Sequence, residues 1–166
     1  DFLIILIDLV VIALGIVDVR FGFICRREQH QNKMNAQIYV GDGKIVWIFG
    51  LISWVAGILE MILLLVSFNI WLLICIMAQW GMTAFLWQHY CYSAVYLYGK
   101  KIYFFDKRRK RNIGLENKVG IKAALGNTVY AFFDENDNKL FEIQMKKKNA
   151  SELMQLIKNE ISNRNP

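Results

Sequence analysis

The run Ile45-Val46-Trp47-Ile48-Phe49-Gly50-Leu51-Ile52-Ser53-Trp54-Val55-Ala56-Gly57-Ile58-Leu59-Glu60-Met61-Ile62-Leu63-Leu64-Leu65-Val66 decides the fold, together with the residues just after it. Ser67-Phe68-Asn69 interrupts it with polar groups, and a second apolar run, Ile70 to Trp87, begins at once. Glu60 is the only acidic or basic side chain in the whole stretch. Roughly 20 apolar residues at about 1.5 Å each cross a hydrocarbon layer about 30 Å thick. The stretch is too long for one such helix and the right length for two, joined by a tight turn. Upstream, Phe2 to Ile24 is a third run of spanning length, broken by Asp8, Asp18 and Arg20.

Charge separates this apolar part from the rest. Residues 1–98 carry five Lys+Arg against six Asp+Glu, and residues 99–166 carry fifteen against eight. A nearly neutral apolar part and a basic polar part read as a membrane unit followed by a domain held near something anionic. The expected organisation is a transmembrane region over 1–87, with spans at about 2–24, 45–66 and 70–87 and a loop at 25–44. A polar domain over 88–166 comes after it. The loop after span one holds Arg20, Arg26, Arg27, Lys33 and Lys44, and the turn after span two holds no charge. The tail after span three opens on Lys100-Lys101. The positive-inside rule then places the N-terminus outside and the C-terminal domain in the cytoplasm. On this topology Trp47 and Trp87 lie near the inner interface and Trp71 near the outer one, with Trp54 and Trp80 as packing residues in between.

Asp8 and Glu60 stand out, each about 10 Å below the outer surface at about 1.5 Å per residue. A carboxylate at that depth is costly and is normally paired, protonated or facing water. The two acids could share a proton, hold a cation, or meet a basic residue on another membrane protein. The structural alternative has Asp8 reaching the interface from a frayed end and Glu60 protonated. Gly50, Ser53 and Gly57 share one face of span two. Small residues at this spacing allow a close helix, in a partner or in ordinary packing against span one or three.

From His89 onward the pattern alternates, and His89 to Tyr98 is the first candidate strand. Lys101 to Asp106, Val129 to Phe133 and Leu140 to Met145 are strand-like, and Phe141, Ile143 and Met145 share one face against Glu142 and Gln144. Leu153, Leu156, Ile157 and Ile161 then take up a helical period, with Asn149 or Ser151 as the N-cap. The expected fold class is therefore an α+β membrane protein. Three transmembrane helices precede a small antiparallel domain of about six strands, closed by a C-terminal amphipathic helix.

The order of aromatic strands, basic hairpin, further strands and last amphipathic helix resembles the bacterial PH-like domains fused behind a transmembrane hairpin, as in YcxB-like membrane proteins. The likeness covers roughly His89 to Ile161 plus the hairpin Ile45 to Trp87, and the first span departs from it. It implies a binding or scaffolding role in the bacterial cytoplasmic membrane and identifies no ligand. Lys101 followed by Arg109-Lys110-Arg111 looks like the phosphoinositide-contacting pattern of eukaryotic PH domains. Lys107-Arg108-Arg109-Lys110-Arg111 puts five cations in a row, each worth about 1 kcal/mol beside an anionic leaflet. The alternative is that the cluster fixes topology and solvates a turn.

No catalytic constellation, phosphate loop or metal motif is present in the sequence. Cys25 with His30, or Cys91 with His89, lacks the paired spacing of a structural zinc site. The expectation is a non-enzymatic scaffold without cofactor. Its partners would be another integral membrane protein or a second copy, with anionic lipid, and not nucleic acid. An immunity protein against a secreted toxin, and a small transporter subunit using the intramembrane acids, are the competing roles.

Overall fold

A computed structural model describes residues 2–162 of the chain. Three helices dominate the first half: α1 (Phe2–Asn35), α2 (Lys44–Val66) and α3 (Ile70–Tyr92). All three are long and apolar enough to cross a membrane. Seven short strands and a last helix make up the rest. They are β1 (Ile38–Val40), β2 (Val95–Tyr98), β3 (Lys101–Asp106), β4 (Arg109–Gly114), β5 (Gly120–Ala124), β6 (Val129–Phe133), β7 (Lys139–Gln144) and α4 (Ala150–Ser162). The chain forms two compact units, one built from the residues up to Glu28 with Gly43–Cys91, the other from Gln29–Asp42 with Tyr92 onward.

In the helical unit, tryptophan and glycine repeat every seven residues on facing helices. A seven-residue step returns to nearly the same face of a helix. Trp80 of α3 fills the space left by Gly15 of α1 and Gly57 of α2, and Trp87 fills that left by Gly22 and Gly50. A methyl group on any of these four glycines would overlap an indole ring. The bare glycine backbones are also acceptors. Trp47 Nε1–H donates to Gly22 O and Trp54 Nε1–H to Gly15 O, both at 2.9 Å, while Trp87 Nε1–H donates to Trp47 O at 3.1 Å. Trp47 and Trp87 are therefore buried in the bundle, stacked at 6.3 Å. Trp71 is exposed. Asn69 caps α3, its Oδ1 accepting from the Trp71 N–H at 2.9 Å. Outward-facing leucines, isoleucines and phenylalanines cover all three helices, a surface suited to a bilayer.

Three boundaries differ from the sequence reading. Helix α1 continues through Arg26-Arg27-Glu28-Gln29 to Asn35. Charged and amide residues with good helix propensity extend an existing helix at little cost, even where apolarity ends. Helix α3 runs to Tyr92 and β2 begins only at Val95, although His89 to Tyr98 alternates like a strand. Thr83, Trp87, Tyr90 and Cys91 are all buried at helical spacing, so the bundle core overrides the local pattern. Third, the stretch expected as a cytoplasmic loop contains β1.

In the second unit, β1-β2-β3-β4 form one antiparallel sheet and β5-β6-β7 another. β1 pairs with β2, Tyr39 opposite Tyr96, although the whole α2–α3 hairpin separates them in sequence. The core is made by Val95, Leu97, Ile102 and Phe104 from the first sheet and by Phe132, Phe141 and Ile143 from the second. Leu153, Met154 and Ile157 of α4 close it. Phe141 and Ile143 point inward, as their alternation requires, while Ile161 lies outside the residues whose side chains are described. Asn149 precedes α4 at φ 62°, but its side-chain amide donates to Tyr39 O in β1.

Asp42 holds this unit together at a buried point. Its carboxylate takes Lys147 Nζ at 3.1 Å and the Ser93 hydroxyl at 2.6 Å, and both charged side chains are nearly closed off from solvent. The β6–β7 turn has a more exposed anchor. Asp134 accepts from the Asn138 backbone N–H and side-chain amide and from the Asn136 N–H, which holds its carboxyl below the usual range.

Candidate functional site

Two groups of residues carry chemistry, one in each unit. In the helical unit, Asp8 and Glu60 are half-buried, and Asp8 Oδ1 and Glu60 Oε2 are closed off from solvent with no hydrogen-bond donor. The indole Nε1 of Trp80 is the third such atom. These are the three side-chain polar atoms among the described residues that are buried without a partner. An unpaired buried acceptor costs about 1–3 kcal/mol, and more if it is charged. Asp8 precedes Gly15 by seven residues on α1, and Glu60 follows Gly57 by one turn on α2. Because Gly15 and Gly57 both face Trp80, all three polar groups lie toward the same end of the bundle.

Gly50, Ser53 and Gly57 are brought against α3 of the same chain. The glycines take Trp87 and Trp80, and Ser53 Oγ–H donates to Gln79 O and Oε1 at 3.0 and 2.9 Å. Thr83 Oγ1–H adds bonds to Gln79 O at 3.0 Å and Gly50 O at 3.3 Å. The small-residue face is thus packing within the bundle. The seven-residue step from Trp80 to Trp87 is the signal for it, but it lies on α3 and not on the helix of the glycines. Cys25 and Cys91 are buried and hydrogen-bonded to each other. Among the described residues no three His, Cys, Asp or Glu side chains gather to hold a metal.

In the second unit, the sequence reading sets the basic run between two strands, and the structure folds most of it into strand. The pairing of Asp106 with Arg109 leaves Lys107-Arg108 alone as the turn. Both residues have positive φ, 46° and 68°, the pattern of a two-residue hairpin that Asn-Gly suits best. A side chain with a Cβ costs about 1–2 kcal/mol there. The remaining cations divide. Lys110 Nζ lies 5.2 Å from the Tyr96 ring, 5.4 Å from Tyr103 and 3.4 Å from Asn32 Oδ1. It caps a stack in which Tyr96 lies between Tyr39 and Tyr103. Arg111 pairs with Asp106 at 3.0 Å. Lys101 is opposite Gly114 at the far end of β3, roughly 17 Å from Asp106 at about 3.3 Å per residue. The exposed tip thus consists of Lys107, Arg108 and Arg109.

Compared with known proteins, the chain matches no family model, no curated protein and no solved structure.

Proposed function

We propose that this chain is a non-enzymatic, membrane-anchored binding subunit of a membrane protein complex. Its sheet unit is PH-like and cytoplasmic, and its membrane is the bacterial cytoplasmic membrane. Asp8 and Glu60 receive a basic side chain from a partner protein within the bilayer, and the β3–β4 tip touches anionic lipid. The observation that carries the reading is the pair of carboxylate oxygens, Asp8 Oδ1 and Glu60 Oε2, shut away without a donor. A carboxyl at such a depth is normally paired, protonated or facing water. The apolar spans offer no Lys or Arg at that level, which supports a partner as the source of a pairing group. A transporter subunit would put a proton or small cation in the same place. Asp8→Asn with Glu60→Gln separates the two: a binding subunit loses its partner, a transporter loses pH-dependent flux.

The strained tip supports the lipid contact, because conformational strain persists where something other than folding selects it. Lys107→Asn with Arg108→Gly is expected to raise the melting temperature of the sheet unit. It should also lower retained anionic lipid roughly thirtyfold, from about 1 kcal/mol for each of two cations. Quantifying lipid that stays with the detergent-purified protein checks this, and unchanged lipid retention would remove the tip from the account.

A further inference from the structure

The guanidinium of Arg26 lies over the ring of Trp47, 4.4 Å from its centroid. That ring is itself held in place: it stacks on Trp87 and donates to Gly22 O. Stacking on an aromatic face fixes the plane of a guanidinium and leaves its N–H fork free. Arg26 is exposed, and among the described residues it forms no ion pair and no side-chain hydrogen bond. The result is an oriented set of donors without a counter-charge. Arg27 and Lys44 are exposed as well, and neither forms an ion pair among the described residues.

The height of this fork in the bundle identifies what it meets. Gly15 and Gly22 of α1 face the same two indoles as Gly57 and Gly50 of α2, so the two helices run antiparallel. Arg26, four residues beyond Gly22, is then level with the first turn of α2. Both apolar runs end at this level: Ile24-Cys25 gives way to Arg26-Arg27, and Lys44 precedes Ile45. Phe23, one turn back on the apolar side, packs edge-on against Trp47 at 5.6 Å and is half exposed. Cation above and exposed phenyl below match the order of a lipid, phosphate first and acyl methylenes next. We propose that Arg26, on its Trp47 platform, binds the phosphate of one anionic lipid, with Phe23 against the start of its acyl chains. A planar guanidinium takes a phosphodiester through two parallel hydrogen bonds. The unpaired charges of Arg27 and Lys44 select a headgroup of the phosphatidylglycerol type, which lacks a compensating ammonium. The inference rests on the three helices crossing a bilayer, and it is independent of Asp8, Glu60 and the β3–β4 tip.

The test uses the full chain in phosphatidylcholine nanodiscs that carry a minor share of phosphatidylglycerol with a photoreactive headgroup. Mass spectrometry after digestion is expected to find adducts on the peptides bearing Phe23 to Arg27 and Lys44 to Trp47. Unlabelled phosphatidylglycerol should compete these adducts away, and added phosphatidylcholine or inorganic phosphate should not. Arg26→Gln should lower the labelling about tenfold, the loss of one charge-assisted contact. Arg26→Lys keeps the charge without the planar fork and should lose most of the labelling too. Lys107→Asn with Arg108→Gly should leave it unchanged, and near-UV circular dichroism should show the tryptophan layers intact in every variant. Labelling that survives Arg26→Gln, or that inorganic phosphate displaces, would overturn the proposal and leave the membrane reading standing. A chain that does not enter the discs would overturn both.

Discussion

Trp87→Ala is expected to destabilise the helical unit by about 3–5 kcal/mol, the range for emptying a large buried aromatic site. The ring is fully buried between Gly22 and Gly50, and neither glycine has a side chain to fill the space it would leave. Its Nε1–H bond to Trp47 O is lost as well. Lipid tails are as apolar as leucine, so burying the ring gains little from the hydrophobic effect here. The loss is of close-packed contacts, and these fall off steeply with distance. Trp71→Ala is the control: that ring is 71% exposed, and its removal should stay within about 0.5 kcal/mol. Unfolding in mixed micelles, followed by near-UV circular dichroism, measures both. Equal effects would mean the tryptophan–glycine layers do not hold the bundle.

The second large effect lies in the sheet unit. Asp42→Ala leaves the Lys147 ammonium with only 10% of its side chain exposed and without its counter-charge. Breaking a buried pair from one side costs about 3–5 kcal/mol. Lys147→Met should cost a similar amount, and Asp42→Ala with Lys147→Met markedly less than the sum, because the double variant leaves no stranded charge. Lys122 and Asp137 are even closer, at 2.8 Å, but exposed. Removing that pair should cost less than about 1 kcal/mol. Burial decides the ranking, not distance. Thermal unfolding of the four variants tests it, and simple additivity at Asp42 and Lys147 would contradict it.

What could be read from the sequence tracked the range of the interaction responsible. Three apolar helices were legible because a bilayer-length run needs only its own composition. The strands at Lys101–Asp106, Val129–Phe133 and Leu140–Gln144 and the helix at Leu153–Ile157 were legible because a period of two or of 3.6 is local. β1 was not: Ile38-Tyr39-Val40 is three residues long and is a strand only because β2 lies beside it, beyond two helices. The end of α3 is hidden for the same reason, since the burial of Tyr90 and Cys91 depends on the other helices. Asp8 and Glu60 were visible as carboxylates out of place, but only the folded bundle shows an oxygen of each closed off without a donor. The basic run was visible as charge. That Lys110 lies over the tyrosines while Lys107 and Arg108 form a strained turn depends on the strand register.

On the proposed function, Asp8 and Glu60 engage another membrane protein within the bilayer. The direct measurement is the mass of the complex released from native membranes in mild detergent, for the unmodified chain and for Asp8→Asn with Glu60→Gln. A stoichiometric membrane protein carrying a basic residue in a spanning segment, present with the unmodified chain and lost from the double variant, is the predicted result. A chain that comes out with only copies of itself and lipid, or a partner indifferent to both substitutions, would contradict it.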